Sequence, residues 1–135
     1  MYETLGVAVT PPGAWVPMQP KDFAFIHALG RFHLFYIRRR MIAGTDSTEK
    51  NFGHAWSTDL TTWHWSGLPR DTTVLDVGGG TWDNYHVWAP TIIQRDSFFM
   101  FYAGAKDTVV QGVHRHHQQI GMATSTDLDT WHRSS

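Results

Sequence analysis

The chain has 135 residues, enough for one domain with a real core and too few for two. Its 11 Lys and Arg against 12 Asp and Glu leave a formal charge of −1, so no basic field recruits nucleic acid or an anionic membrane, and neither is expected as a partner. Cysteine is absent, which removes disulfides, thiolate nucleophiles and cysteine metal ligands together.

The opening Met1-Tyr2-Glu3-Thr4 lacks the basic region and apolar run of a secretory signal, and no stretch of about 18 apolar residues occurs, so a soluble, cytoplasmic protein is expected. Leu5-Gly6-Val7-Ala8-Val9 alternates as a short strand and ends at Thr10-Pro11-Pro12-Gly13, where the prolines have no N–H to give a ladder. Asp22 to Ala28 and Phe32 to Arg38 are two apolar runs joined by Leu29-Gly30-Arg31, a hairpin connection. The polar segment from Gly44 to Lys50 reads as a loop, Phe52 to Ser57 as a third strand, and Trp63 to Leu68 as a weaker fourth. The same order follows: strands at Trp88 to Gln94, Phe98 to Ala103 and Gln119 to Ser125, with no fourth strand before the end at Ser135. Seven Trp, eight Phe and four Tyr suit strands, and no helical period runs through the chain.

One phrase occurs twice. Ser57-Thr58-Asp59-Leu60-Thr61-Thr62-Trp63-His64 returns 68 positions later as Ser125-Thr126-Asp127-Leu128-Asp129-Thr130-Trp131-His132. Phe32-His33-Leu34-Phe35-Tyr36 returns after 66 positions as Phe98-Phe99-Met100-Phe101-Tyr102, and Gly13-Ala14-Trp15 after 67 as Gly80-Thr81-Trp82. Three signatures in one order at one spacing mean two copies of a supersecondary unit. Units of four antiparallel strands with aromatic signatures are propeller blades. The predicted fold is therefore all-β, a partial β-propeller of two four-stranded antiparallel blades in a single domain. The blades span about 14–80 and 81–135, with 1–13 as a permuted outer strand. In the repeated phrase, the Asp is expected to cap backbone N–H groups while Leu and Trp plug the core.

Lys21-Asp22-Phe23, Gly30-Arg31-Phe32-His33-Leu34-Phe35-Tyr36, Gly53-His54-Ala55-Trp56-Ser57, Val87-Trp88-Ala89-Pro90 and Phe99-Met100-Phe101-Tyr102 together resemble the five-bladed propeller glycoside hydrolases of the arabinanase/xylosidase and invertase/levanase families. The resemblance implies a first carboxylate at Asp22, the base or nucleophile of such enzymes. It implies a second after Trp88-Ala89-Pro90, where this chain has Thr91, and a proton donor on a later blade.

Glycoside hydrolysis needs two carboxyl groups across a sugar, about 5–5.5 Å apart for retention and 6.5–9.5 Å for inversion. Asp22 and Asp83 are the candidate catalytic pair, Asp83 because it stands just before an innermost strand; each has a plainer reading as a cap on backbone N–H groups. Trp15, Trp82 and Trp88 are candidate stacking platforms for a sugar, with His86 and His54 beside them, although a hydrogen-bonded place within the sheet is the plainer reading of His54. In His114-Arg115-His116-His117, alternation puts His114 and His116 on one face and His117 on the other, with no acid close in sequence, so a solvated edge is expected. No metal and no cofactor are expected.

Two blades alone leave apolar faces bare, so a homo-oligomer is expected, three copies before two. The functional expectation is glycan binding in the propeller funnel with weak or absent hydrolysis. The alternatives are a lectin-like module and a structural propeller protein without catalysis.

Overall fold

The computed structural model describes residues 18–40, 48–66, 73–79 and 82–134; Trp15 and the outer strand expected within 1–13 lie outside the described residues. Among the described residues no helix occurs and nine strands form: β1 (Met18–Ala28), β2 (Arg31–Arg40), β3 (Thr48–Ser57), β4 (His64–Trp65), β5 (Leu75–Asp76), β6 (His86–Gln94), β7 (Phe98–Val110), β8 (Val113–Ser125) and β9 (His132–Arg133). They make two antiparallel sheets. The first runs β1-β2-β3-β4 with β5 added beside β3, and the second runs β6-β7-β8-β9.

The turns explain why the chain folds back where it does. Leu29 (φ 52°) and Gly30 (φ 73°) are both left-handed, and so are Gln111 (φ 53°) and Gly112 (φ 78°). Two consecutive left-handed residues make the two-residue hairpin turn whose twist matches the strands it joins, and glycine takes the second place at no steric cost.

The repeated phrase folds into the same object twice. Ser57 Oγ accepts from the N–H of Leu60 (2.9 Å) while Asp59 Oδ1 accepts from the N–H groups of Thr61 (2.8 Å) and Thr62 (2.7 Å). Ser125 Oγ and Asp127 Oδ1 do the same for Leu128 (2.9 Å), Asp129 (2.9 Å) and Thr130 (2.7 Å). Trp63 Nε1 and Trp131 Nε1 close the turns by donating to the carbonyls of Leu60 (3.2 Å) and Leu128 (3.1 Å). These N–H bonds, first that of Thr62 to Asp59 and of Thr130 to Asp127, hold both carboxyls below the usual carboxylate range.

The main core is the seam between the sheets, where β6 lies across β1, β2 and β3. Phe35, Ile37 and Phe52 from the first sheet meet Val87, Ile92 and Met100 from the second, and Leu128 and Trp131 close over them, Trp131 edge-on to Phe35 at 5.6 Å. A smaller cluster of Leu34, Tyr36 and Ala55 under Trp63 lies on the far face of the first sheet.

Three expectations change. The second blade does have a fourth strand: His132–Arg133 pairs with Ala123 and Thr124, because the repeated turn returns the chain against β8. Strand β3 begins at Thr48 instead of Phe52, since β2 runs on to Arg40 and the polar residues Thr48 and Glu49 pair with Arg40 and Arg39. Strands β7 and β8 extend as one ribbon to the turn at Gln111-Gly112, taking His114 to His117 into the ladder.

Candidate functional site

The end of the seam where β1, β3 and β6 begin carries a polar aromatic cluster. Glu49, buried on β3, accepts from Lys21 Nζ at 3.1 Å and, across the seam, from Trp88 Nε1 at 2.5 Å. His86 stacks on Trp88 (centroids 4.8 Å, planes 23° apart), and His116 lies over Tyr85 (5.4 Å, 17°) and edge-on to Trp88 (6.0 Å). Asp107 binds His114 Nδ1 at 2.6 Å and approaches His116 Nδ1 at 3.7 Å, so the acid lacking nearby in sequence is supplied from the facing strand. Burial pushes the His86 imidazole below its ordinary value, against the opposing pull of Glu49, which favours the neutral ring against Trp88.

Asp22 stands beside Lys21 on the same strand, and its backbone sets it apart. Lys21 pairs with Ile37 and Phe23 with Tyr36, leaving Asp22 as the extra residue of a bulge with φ 40°. Strand β6 has its own bulge between Trp88 and Thr91, with Ala89 at φ 50°. A left-handed residue with a side chain is strained, and bulges re-aim side chains near active sites. Both blades build this device, and only the first puts a carboxylate on it. Asp22 is exposed, as is Thr91.

Other expected residues are elsewhere. Asp83 is 2% exposed; its Oδ2 accepts from Arg133 Nε at 2.9 Å and from the Tyr102 hydroxyl at 3.1 Å. Its partners stand on β7 and β9, so this carboxylate is bonded within the second blade. Trp82 stacks on Tyr102 (6.0 Å, 21°) above Gly104 and Gly121, where an added Cβ would come within 2.3 and 2.5 Å of its ring. It is a packing residue of the second blade. The cluster thus unites Trp88 and His86 of the expected set beside the strand that carries Asp22.

His54 belongs to a second polar group at the opposite end of the seam. Its Nδ1 meets Asp129 Oδ1 at 3.0 Å, its Nε2 meets His33 Nδ1 at 2.9 Å, and His33 Nε2 meets the carbonyl of Ala28 at 3.1 Å. Both ends of this chain are acceptors, so His54 Nδ1 and His33 Nε2 are the donors at its two ends. Burial lowers the basicity of His33 most, with the neighbouring His54 adding to it. Ser66 Oγ also donates to Asp129, and a cavity of about 270 Å³ lies beside His33, Ser66 and Asp129.

The sequence does not single out Glu49 or Tyr85, and it reads His116 as part of a solvated edge. Glu49 stands three positions before Phe52, so alternation alone would put it on the other face; a register shift opposite Ile37 to Arg39 places it, and the turn-rich composition of 44–50 argues for a loop. Nothing local marks Tyr85 or His116 as neighbours of Trp88.

No protein-family model and no curated protein sequence matches the chain. Solved structures do. The GH43_1 enzyme of Xanthomonas citri, solved with xylose, matches with a TM-score of 0.66 at 15% identity, over 89% of this chain and 33% of its own. A glycosyl hydrolase of Bacteroides ovatus gives 0.60 at 20%, over 88% and 32%. A β-xylosidase/α-arabinofuranosidase from a compost metagenome, solved with xylotriose, gives 0.58 at 14%, over 93% and 39%. The chain therefore spans about a third of the length of these structures. What the likeness shows is the fold: this chain is two blades of a propeller of the glycoside-hydrolase type.

Proposed function

We propose that this chain binds a glycan at the mouth of the seam, with weak or absent hydrolysis, within a propeller completed by further copies of itself. One observation carries the reading: a half-buried Trp88 held by Glu49 and backed by His86, with Lys21 on the same carboxylate and the exposed, left-handed Asp22 next to Lys21 in the strand. An indole offers the apolar face of a sugar a flat surface, and a fixed indole loses little freedom on binding. Hydrolysis would need a proton donor beside a base or nucleophile. Glu49 has one oxygen on Lys21 and the other on Trp88, and Asp83 is closed off by Arg133 and Tyr102, so Asp22 is the exposed acid of the three. Two of the structural neighbours were solved with xylose and xylotriose, which makes pentose oligomers the first probes.

The test is calorimetric titration of xylose and xylotriose into wild type, Trp88→Ala and Asp22→Asn, with an aryl-xyloside hydrolysis assay on each. Binding by wild type, lost in Trp88→Ala, with turnover at or near background is expected. Wild type that binds neither sugar refutes the pentose reading, and turnover unchanged in Asp22→Asn removes Asp22 from any catalytic part.

A further inference from the structure

We infer that a second copy of this chain docks head to tail on the open blade faces, the second blade of one copy receiving the first blade of the next. This rests on the self-assembly in the reading above and is independent of its sugar.

The argument comes from the seam inside the chain. Its first-blade side is built on Phe35 and Phe52, and its second-blade side on Ile92, Leu128 and Trp131. The repeat gives each blade a counterpart of the other's set. Leu60 and Trp63 of the first blade occupy the places of Leu128 and Trp131, and Phe25 faces Leu34 as Ile92 faces Met100. Phe101 and Ile120 of the second blade occupy the places of Phe35 and Phe52.

Only the covering differs. Leu128 is 0% exposed and Leu60 50%, while Phe52 is 0% exposed and Ile120 83%. Phe25 and Phe101 are exposed as well. Exposed apolar side chains grouped on one face mark an interaction surface. Here each bare face matches, position for position, one half of a junction the chain already makes, so one copy holds both halves. That selects a second copy over a partner of another kind.

The polar positions agree. Inside the seam Asp129 meets His54, and His54 meets His33. At the same places on the outer faces stand Thr61 on the first blade and Met122 and Phe99 on the second, so docking would strand no charge there. A junction between unlike faces is heterologous and ends only when a ring closes. Each copy adds two blades, and two or three copies give rings of four or six within the range of about 4–8.

Light scattering on wild type is expected to return two or three times the 15.4 kDa chain mass. Leu60→Glu and Ile120→Glu, each at an exposed position, are expected to be monomeric with unchanged circular dichroism. Mixed in equal amounts they should form a one-to-one pair and stop there, because each retains the face the other has lost. A monomeric wild type, a single variant that still associates, or a mixture that stays monomeric overturns the inference. Xylotriose titration of the mixed pair is a separate readout: failure to bind with the pair intact refutes the pentose-binding reading alone.

Discussion

Replacing Asp129 by alanine tests whether the two blades are fastened by the His33–His54 chain. The carboxylate accepts from His54 Nδ1 at 3.0 Å and from Ser66 Oγ, and both donors belong to the first blade while Asp129 belongs to the second. A hydrogen bond to a charged group is worth about 1.5–3 kcal/mol and a neutral one about 1 kcal/mol. His54 is 1% exposed at its side chain and Asp129 57%, so water screens the acid and partly replaces it. The net cost is set at about 2 kcal/mol, which for a domain of this size lowers Tm by roughly 8 °C. Thr61 occupies the equivalent place in the first blade, and Thr61→Ala should cost less than about 0.5 kcal/mol, as surface changes do. Urea unfolding of both variants reads the difference. The bond from His54 is the largest cause holding the Asp129 carboxyl below its ordinary value, so its stabilisation is present above the unfolded pKa of about 3.9 and is lost as pH falls through the lower folded value. The gap between wild type and Asp129→Ala should therefore close in acid. An Asp129→Ala variant within about 0.5 kcal/mol of wild type at neutral pH would refute the fastening.

Burial lowers both His33 and His86, so below the ordinary value of about 6.5 the unfolded chain binds more protons than the folded one, and stability should fall as pH drops from 7.5 to 5.5; a urea midpoint that does not move would contradict this. Gly121→Ala puts a Cβ 2.5 Å from both Trp82 and Tyr102 and should destabilise by about 1–3 kcal/mol, checked by the same unfolding curves. Gly53→Ala, 2.5 Å from the Tyr36 ring, should act in the same direction. Glu49→Gln keeps an acceptor for Trp88 and Glu49→Ala removes it, so xylotriose affinity should fall further in the alanine variant; equal affinities would show that Trp88 needs no fixing.

What the sequence determined by itself is local. The repeated turn could be read because its bonds run between residues two and three apart, Ser57 and Asp59 to the N–H groups that follow them, and such a motif carries its geometry with it. The strands were legible for a similar reason, since alternation records which side chains face the seam. The weak ends were not. The polar start of β3 has loop composition and becomes strand because β2 runs alongside it, and the two-residue β9 forms because the turn delivers it to the edge of β8.

The candidate site is where tertiary structure decided most. Glu49 and Trp88 are 39 positions apart and His54 and Asp129 are 75, and nothing in either neighbourhood announces the pairing. The bulges at Asp22 and Ala89 shift the register by one, which reverses the faces of all that precedes them, so no count of alternating residues places Lys21 or Trp88. Asp83 shows the same limit: it stands just before an innermost strand, as a catalytic acid should, yet Arg133 from fifty positions away closes its carboxylate within the second blade. Local sequence determines which groups can make a bond. The packing of one blade on the other decides which of them meet, because burial removes the water that would otherwise compete for each bond.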